Sequence, residues 1–475
     1  MCKQLRNIAF GLVFMAGHAG VAQWSRTYGT GLGLNGLVLR ADTEIVVAGA
    51  WAPYQGPLLM RLDAQGDTLQ TTAYPWYWTP GRTSTLVPAP DGGLLLAGSM
   101  SNAGNDVTVA HFSPTLDSIR AGYSNDAWSW HAINLTVAPD STILVFGEAG
   151  PAWDLGIQRF SQQLQLLASY RFLSPTNETC GNGITTFEGG FAVAGIRVLS
   201  GADWNMHVVK SDAQGNIQWE RSIGDDWYEL GGFIAQAPDT NYYVAGGYRW
   251  PNVLFARSTL VQLNSAGVPL WYCVVPTVGS SWLLTKPVIT DDGRVLAAGK
   301  SIMNAYYRGQ LMCADTSGAL LWERTYATDT MANNAFLDMQ QDPDGGFVLV
   351  GQATDPLTGD DRPWVVRTDS VGCLVPGCDV IDGIQDQRTD LGSALIIAPN
   401  PVTDHALVTV RLPSGINYGA LQLTLTDGLG RRLHSQYALN QKTVEVRLEH
   451  LTDGTYYLHL TNGPHWLSGG KLVKE

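Results

Sequence analysis

The chain has 475 residues, and its 42 acidic against 29 basic side chains give a formal net charge of −13. That excess argues against a nucleic-acid or anionic-membrane partner. Hydrophobic residues make up 45%, which excludes wholesale disorder. Charged residues are only 15%, against roughly 25% in an average soluble domain. With 53 glycines and 16 tryptophans, the composition points to an all-β, extracellular protein.

At the start of the chain, Lys3 and Arg6 precede an apolar run from Ile8 to Ala16, and Gly20-Val21-Ala22 offers a small-residue cleavage site. This is the pattern of a secretory signal peptide, expected over residues 1–22. The run is too short to span a bilayer, and no later segment reaches about 18 apolar residues, so no transmembrane segment is expected.

From residue 43 onward a short apolar strand ending in glycine recurs seven times, as TEIVVAG (43–49), DGGLLLAG (91–98), DSTILVFG (140–147), EGGFAVAG (188–195), DTNYYVAG (239–246), DGRVLAAG (292–299) and DGGFVLVG (344–351). The closing glycines are spaced by 49, 49, 48, 51, 53 and 52 residues. A repeat of this length signals a solenoid or a propeller. Each unit holds four strand-like runs. Asp-Gly turns lead into the second run, and turns such as DAQG (63–66), DAQG (212–215), NSAG (264–267), DTSG (315–318) and DSVG (369–372) join the third and fourth. Units two and three, with SPTLD and SQQLQ, depart from that second turn. Four antiparallel strands repeated radially make propeller blades.

The fourth runs read IQWERSIG (217–224) and LLWERTYA (320–327), but the seventh unit runs into Cys373 without one. A matching segment, WSRTYG (24–29), stands near the N-terminus. The sequence therefore predicts an all-β fold: a seven-bladed β-propeller over 23–378, closed by the N-terminal strand so that no edge is left open. Trp24, Trp219, Trp271 and Trp322 share one place in the fourth strand and read as packing between blades.

Strand direction sorts the loops. The tight turns joining strands one-two and three-four lie on one face and look structural. The longer two-three and blade-to-blade connections lie on the other and hold most of the remaining aromatics, among them Trp153, Trp204, Tyr306 and Tyr307. Exposed rings on one face suit sugar rings or apolar peptide groups. The candidate ligand-binding set is Trp76, Trp78, Trp128, Trp130, Trp227 and Trp282.

No catalytic residue is assigned, because HExxH, GxSxG, P-loop and strand-associated GxGxxG motifs are all missing. GDDW (224–227), DDG (291–293) and GDDR (359–362) supply paired carboxylates, whose separation decides whether a glycosidase is feasible. DPDGG (342–346) is explained by turn chemistry, and Trp153-Asp154 is a lone Trp-Asp pair. No metal or cofactor is expected. Of the cysteines beyond Cys2, Cys373 and Cys378, flanking a Pro-Gly turn in CLVPGC, are the expected disulfide.

After a polar linker over 379–395, ALVTVRL (406–412), LQLTLTD (421–427), RRLHSQYAL (431–439), TVEVRL (443–448) and GTYYLHLTN (454–462) alternate with period two, followed by WLSGGKLVK (466–474). They predict a small antiparallel Ig-like β-sandwich over 396–475. Here a resemblance enters. Ala398-Pro399-Asn400-Pro401 opens the module, Asp427-Gly428-Leu429-Gly430 makes its central turn, Leu451-Thr452-Asp453-Gly454-Thr455-Tyr456-Tyr457 follows, and Lys471-Leu472-Val473-Lys474 closes it. This resembles the type A C-terminal sorting domain of cargo exported by the type IX secretion system of Bacteroidetes. Pro399, Asn400, Pro401, Gly454, Tyr456, Lys471 and Val473 are the motif residues that carry the likeness. Ala398 departs from it, since an aromatic often stands there.

The resemblance implies the type IX machinery as partner, and a secreted or outer-membrane cell-surface destination. The functional expectation is a monomeric binding or adhesion protein recognising a glycan or protein through the aromatic face. The alternatives are a polysaccharide-acting propeller hydrolase or lyase, and a structural surface protein without a ligand.

Overall fold

The computed structural model of the protein describes residues 23–29, 33–40, 44–51, 56–74, 79–80, 86–100, 106–117, 119–126, 130–151, 153–200, 203–224, 230–248, 256–275, 280–303, 305–328, 333–355, 358–375, 378, 389–390, 394–411, 421–428, 430–438, 443–462 and 465–475. The expected signal segment, 1–22, lies outside them. Every named element among the described residues is a β-strand, and the first part of the chain forms propeller-like antiparallel sheets.

Each repeat unit makes one sheet. The first holds Leu34–Leu39, Ile45–Trp51, Gly56–Leu62 and Thr68–Ala73, and the second holds Leu86–Pro88 with Thr79–Pro80, then Leu94–Met100, Asp106–Phe112 and Ile119–Tyr123. The third is Trp130–Val137, Ile143–Ala149, Asp154–Phe160 and Leu166–Phe172, and the fourth is Glu178–Thr185, Phe191–Ser200, Asp203–Ser211 and Ile217–Ile223. The fifth is Leu230–Gln236, Tyr242–Tyr248, Arg257–Leu263 and Pro269–Val274. The sixth has Ser281–Leu283 and Val288–Ile289 in its first position, then Val295–Met303, Tyr306–Ala314 and Leu320–Tyr326. The seventh is Asn333–Gln341, Phe347–Thr354 and Asp361–Thr368, and its fourth place is taken by Trp24–Thr27, with Trp24 opposite Arg367 and Thr27 opposite Trp364.

Burial explains the sequence pattern. The middle strands lie between two neighbouring sheets, so both faces are covered and the strand reads as a continuous apolar run; Ile143–Ala149 is buried at every position. The outer strands alternate, as in Ile217–Ile223. Apolar clusters are shared between consecutive sheets. Val38, Val46 and Leu59 pack with Leu94, Leu96 and Phe112 of the next sheet, and Leu296, Leu311 and Cys313 pack with Phe336, Phe347 and Trp364. Val348, Val350 and Val365 of the seventh sheet pack with Leu34, Ile45 and Val47 of the first.

Two repeated devices join the sheets. On the tight-turn side, an outer-strand tryptophan covers the turn of the following sheet. Trp271 donates its indole N–H to the Thr316 carbonyl at 3.0 Å, and a Cβ on Gly318 would lie 2.6 Å from the ring. Gly318 also has φ +88, so both the turn and the ring demand glycine there. Trp24 covers Gly66, Trp219 covers Gly267 and Trp322 covers Gly372 in the same way, and Tyr170 covers Gly215. The second and third sheets explain the two departures in the sequence. The strands facing their turns, TLQTTA and IRAGY, bring no tryptophan, and buried Leu116 and Leu164 stand where the other turns have glycine.

On the inner strands a bulge recurs, and a polar side chain just after it reaches the next sheet. Asn134 donates to the Gly183 carbonyl at 2.9 Å and accepts the Gly183 N–H at 2.8 Å. Asn182 donates to the Ile234 carbonyl at 3.0 Å and accepts the Ile234 N–H at 2.6 Å. Asp338 of the seventh sheet accepts the Leu37 N–H of the first at 3.1 Å. These side chains satisfy backbone groups on an otherwise unpaired sheet edge.

In the C-terminal module, Leu395–Ala398, His405–Val410 and Thr443–Arg447 form one sheet, and Leu421–Asp427, Arg432–Ala438, Gly454–Asn462 and His465–Lys474 form the other. They share one core, including Val408, Leu423, Leu425, Val446, Leu458 and Leu472. Within the expected linker, Thr389–Asp390 pairs in parallel with Leu320–Tyr326, while 379–388 and 391–393 lie outside the described residues.

Candidate functional site

Among the described residues of the long-connection face, the third and fourth sheets carry the most developed polar and aromatic cluster. It is built where Ile143–Ala149 gives way to Asp154–Phe160. The connecting turn bonds the Trp153 N–H to the Gly150 carbonyl at 3.3 Å and holds Trp153 at φ +55, a left-handed conformation rare for a bulky residue. Such outliers concentrate at functional positions. The indole stacks on His131, ring centroids 4.6 Å apart and planes 22° from parallel, and stays 40% exposed.

Beneath this pair lie enclosed charges. The Glu148 side chain accepts the Cys180 N–H at 2.8 Å and lies 4.0 Å from His131 Nδ1. Asp154 is buried, is ion-paired to Arg171, and accepts the Ser174 N–H at 3.0 Å. The lone Trp-Asp of the sequence thus splits its roles, ring outward and acid inward. Glu178 is paired to Arg197 at 2.7 Å, with His207 Nε2 3.7 Å away. Burial pushes the Glu178 carboxyl up against the opposing pull of Arg197. Burial, then the Arg197 charge, takes His207 down to about 3. Both side chains are sealed from solvent.

The arrangement offers an apolar ring surface with a polar imidazole edge beside it, on a frame fixed by buried ion pairs. That suits stacking against the C–H face of a sugar or an apolar group.

The residues expected from sequence fall differently. Trp76, Trp78, Trp128 and Trp227 lie outside the described residues. Trp130 is a correction: it is 1% exposed, donates to Asp126 at 2.9 Å and fills the space over Gly156, so it packs between sheets and has no face for a ligand. Trp282 is part-buried on the expected face, edge-on to Tyr307 at 5.9 Å, with the Lys300 ammonium 4.9 Å from its ring. Of the paired carboxylates, Asp292 sits in a tight turn, bonded to Thr290 and Arg294, which hold its carboxyl down near 2. Asp361 accepts the Thr354 hydroxyl at 2.6 Å. Asp225 and Asp226 lie outside the described residues.

Among the described residues no group of three or more His, Cys, Asp or Glu side chains is placed to hold a metal ion. Cys373 and Cys378 form the expected disulfide, Cα atoms 5.8 Å apart. Cys180, Cys273 and Cys313 are buried, and burial raises the thiols of Cys273 and Cys313 to about 11 and about 12, too high for reactive thiolates. A groove of about 480 Å³ between the N-terminal strand and the C-terminal module is lined by Trp24, Arg26, Leu374, Val375, Tyr457 and Lys471.

The motif residues of the C-terminal module do structural work. Asn400 donates to the Lys471 carbonyl at 2.8 Å and accepts the Val473 N–H at 2.9 Å, tying the Pro399-Asn400-Pro401 segment to the last strand. Tyr456 donates to the Thr452 carbonyl at 2.6 Å, beside Gly454 at the strand start.

Sequence comparison agrees with that geometry: residues 396–475 match the secretion system C-terminal sorting domain family. This type IX module indicates a secreted or cell-surface protein. No curated protein matches the chain. Among solved structures, a PL25 ulvan lyase bound to -[GlcA(1-4)Rha3S]- aligns at TM-score 0.48 and 9% identity, over 73% of this chain and 96% of that one. YCF48 bound to D1 peptide aligns at 0.47 and 8%, over 74% and 96%. A puromycin hydrolase aligns at 0.45 and 15%, over 82% of this chain and 60% of that one. No activity is carried across from likenesses at this level. Among the described residues no helix is long and apolar enough to cross a membrane.

Proposed function

We propose that this is a secreted or cell-surface binding protein, exported by the type IX machinery, that recognises a glycan through the long-connection face of its propeller. In this reading residues 1–22 are a signal segment, 23–378 a closed seven-bladed propeller, 379–395 a linker, and 396–475 an Ig-like sorting sandwich. Closure is supported by the pairing of Trp24–Thr27 with Asp361–Thr368 and by the Asp338 bond to Leu37.

The observation that carries the functional reading is Trp153, stacked on His131 in a left-handed turn and exposed. The exposed, stacked ring, held in a left-handed turn, supports a binding role. The acids beneath it are each committed to an arginine, an imidazole or a backbone N–H, which favours recognition over acid–base catalysis.

Retention of the full chain on a panel of immobilised polysaccharides, followed by tryptophan fluorescence, tests this. Trp153→Ala is expected to weaken binding at least tenfold, the scale of one base- or sugar-sized stacking contact of about 1.5 kcal/mol, with an unchanged melting temperature. Unaltered affinity in a folded W153A protein would remove Trp153 from the site.

A further inference from the structure

Most cations of the described residues are spent on the protein's own carboxylates: Arg171 on Asp154, Arg197 on Glu178, Arg294 on Asp292, Arg362 on Asp355 and Arg367 on Asp342. Lys300 differs. It lies towards the long-connection end of Val295–Met303, directly across the sheet from Trp282. Its ammonium sits 4.9 Å from the Trp282 ring centroid and 4.3 Å from that of Tyr307. Among the described residues no carboxylate pairs with it. The sixth sheet therefore holds one cation between two aromatic rings, towards the end of the strands that the proposed function uses.

Aromatic faces hold an ammonium in place through the ring quadrupole without neutralising its charge. A part-buried ammonium is also short of water, and burial alone presses the Lys300 pKa below the usual lysine value. An anionic group docking on Lys300 restores the missing counter-charge, while the adjoining rings accept the C–H face of the sugar that bears it.

We propose that Lys300, framed by Trp282 and Tyr307, is an anion subsite, and that the glycan taken by this face is acidic, carrying carboxylate or sulfate groups. This rests on the glycan-binding reading and deepens it. Binding of the full chain to polygalacturonate, dextran sulfate and uncharged dextran is compared for the native protein, Lys300→Gln and Lys300→Arg. The expected result is tighter binding to one or both acidic polymers than to dextran. Lys300→Gln should lower that affinity about tenfold, the scale of one charge-assisted hydrogen bond, and Lys300→Arg should keep most of it. Whichever acidic polymer is preferred identifies carboxylate or sulfate as the recognised group. Raising the salt concentration on the native protein, which needs no variant to fold, should weaken the acidic polymers and leave dextran unaffected. Equal affinity for dextran, or full acidic binding by a folded K300Q protein, would overturn the subsite and leave glycan binding standing. No retention on any of the three polymers, or on the wider panel, would remove the glycan reading with it.

Discussion

At the residue scale, Gly318 and Trp271 show how side chains of two sheets specify each other. The turn needs φ +88 at residue 318, and the indole of the neighbouring sheet occupies the place a Cβ would take. Gly318→Ala should therefore destabilise the protein by about 2 kcal/mol or more, part backbone and part overlap with the ring. Trp271→Ala alone should cost about 1–2 kcal/mol, because the ring is part-buried. In the double variant the overlap is gone, so denaturant midpoints should show the two costs adding to less than their sum. Strict additivity would mean the ring does not constrain the turn. The pairing was half legible in the sequence, since the Asp-x-x-Gly turns and the fourth-strand tryptophans both recur there. What the sequence did not disclose is that they meet, because the partners lie about 45 residues apart and in different units.

Trp130 and Trp153 mark the limit of legibility at the same scale. Both stand in connections or at strand starts, and as letters they are alike. One is sealed over Gly156 and the other is held out by a turn with φ +55. Whether a ring is buried depends on which glycine of which strand it faces, and one residue of strand register reverses that.

At the scale of the element, the inner strand, at the edge of its sheet, has to leave its outer backbone groups unpaired or find donors and acceptors elsewhere. Asn134, Asn182 and Asp338 answer this from the same place, each 13 residues before the closing glycine of its unit, at Gly147, Gly195 and Gly351. That offset is visible in the sequence, but its meaning depends on the bulge that turns the side chain towards the next sheet. Asn182→Ala would strand both the Ile234 N–H and its carbonyl in a buried setting. The expected loss is about 2–6 kcal/mol, at roughly 1–3 kcal/mol for each of the two unsatisfied groups, read as a lowered denaturant midpoint with an unchanged slope. A loss within about 0.5 kcal/mol, the usual range for surface substitutions, would mean that the bridge is incidental.

At the scale of the whole molecule, repeat period, strand count per unit and the motifs of the C-terminal module were all readable, because each is written as local chemistry: apolar runs, Asp-Gly turns, and Pro-Asn-Pro before an alternating module. The proposed binding face was not, because its geometry comes from connections of differing length and composition that no repeat predicts. The buried acids under Trp153 belong to the third and fourth sheets, and the cation between rings at Lys300 belongs to the sixth. In the proposed reading each contributes to ligand binding. The most direct test is to saturate the full chain with the best-retained polysaccharide and follow new reducing ends over hours. The account predicts saturable binding with no chain ends above the protein-free control. Ends accumulating linearly with time and with protein concentration would contradict it and make the protein an enzyme.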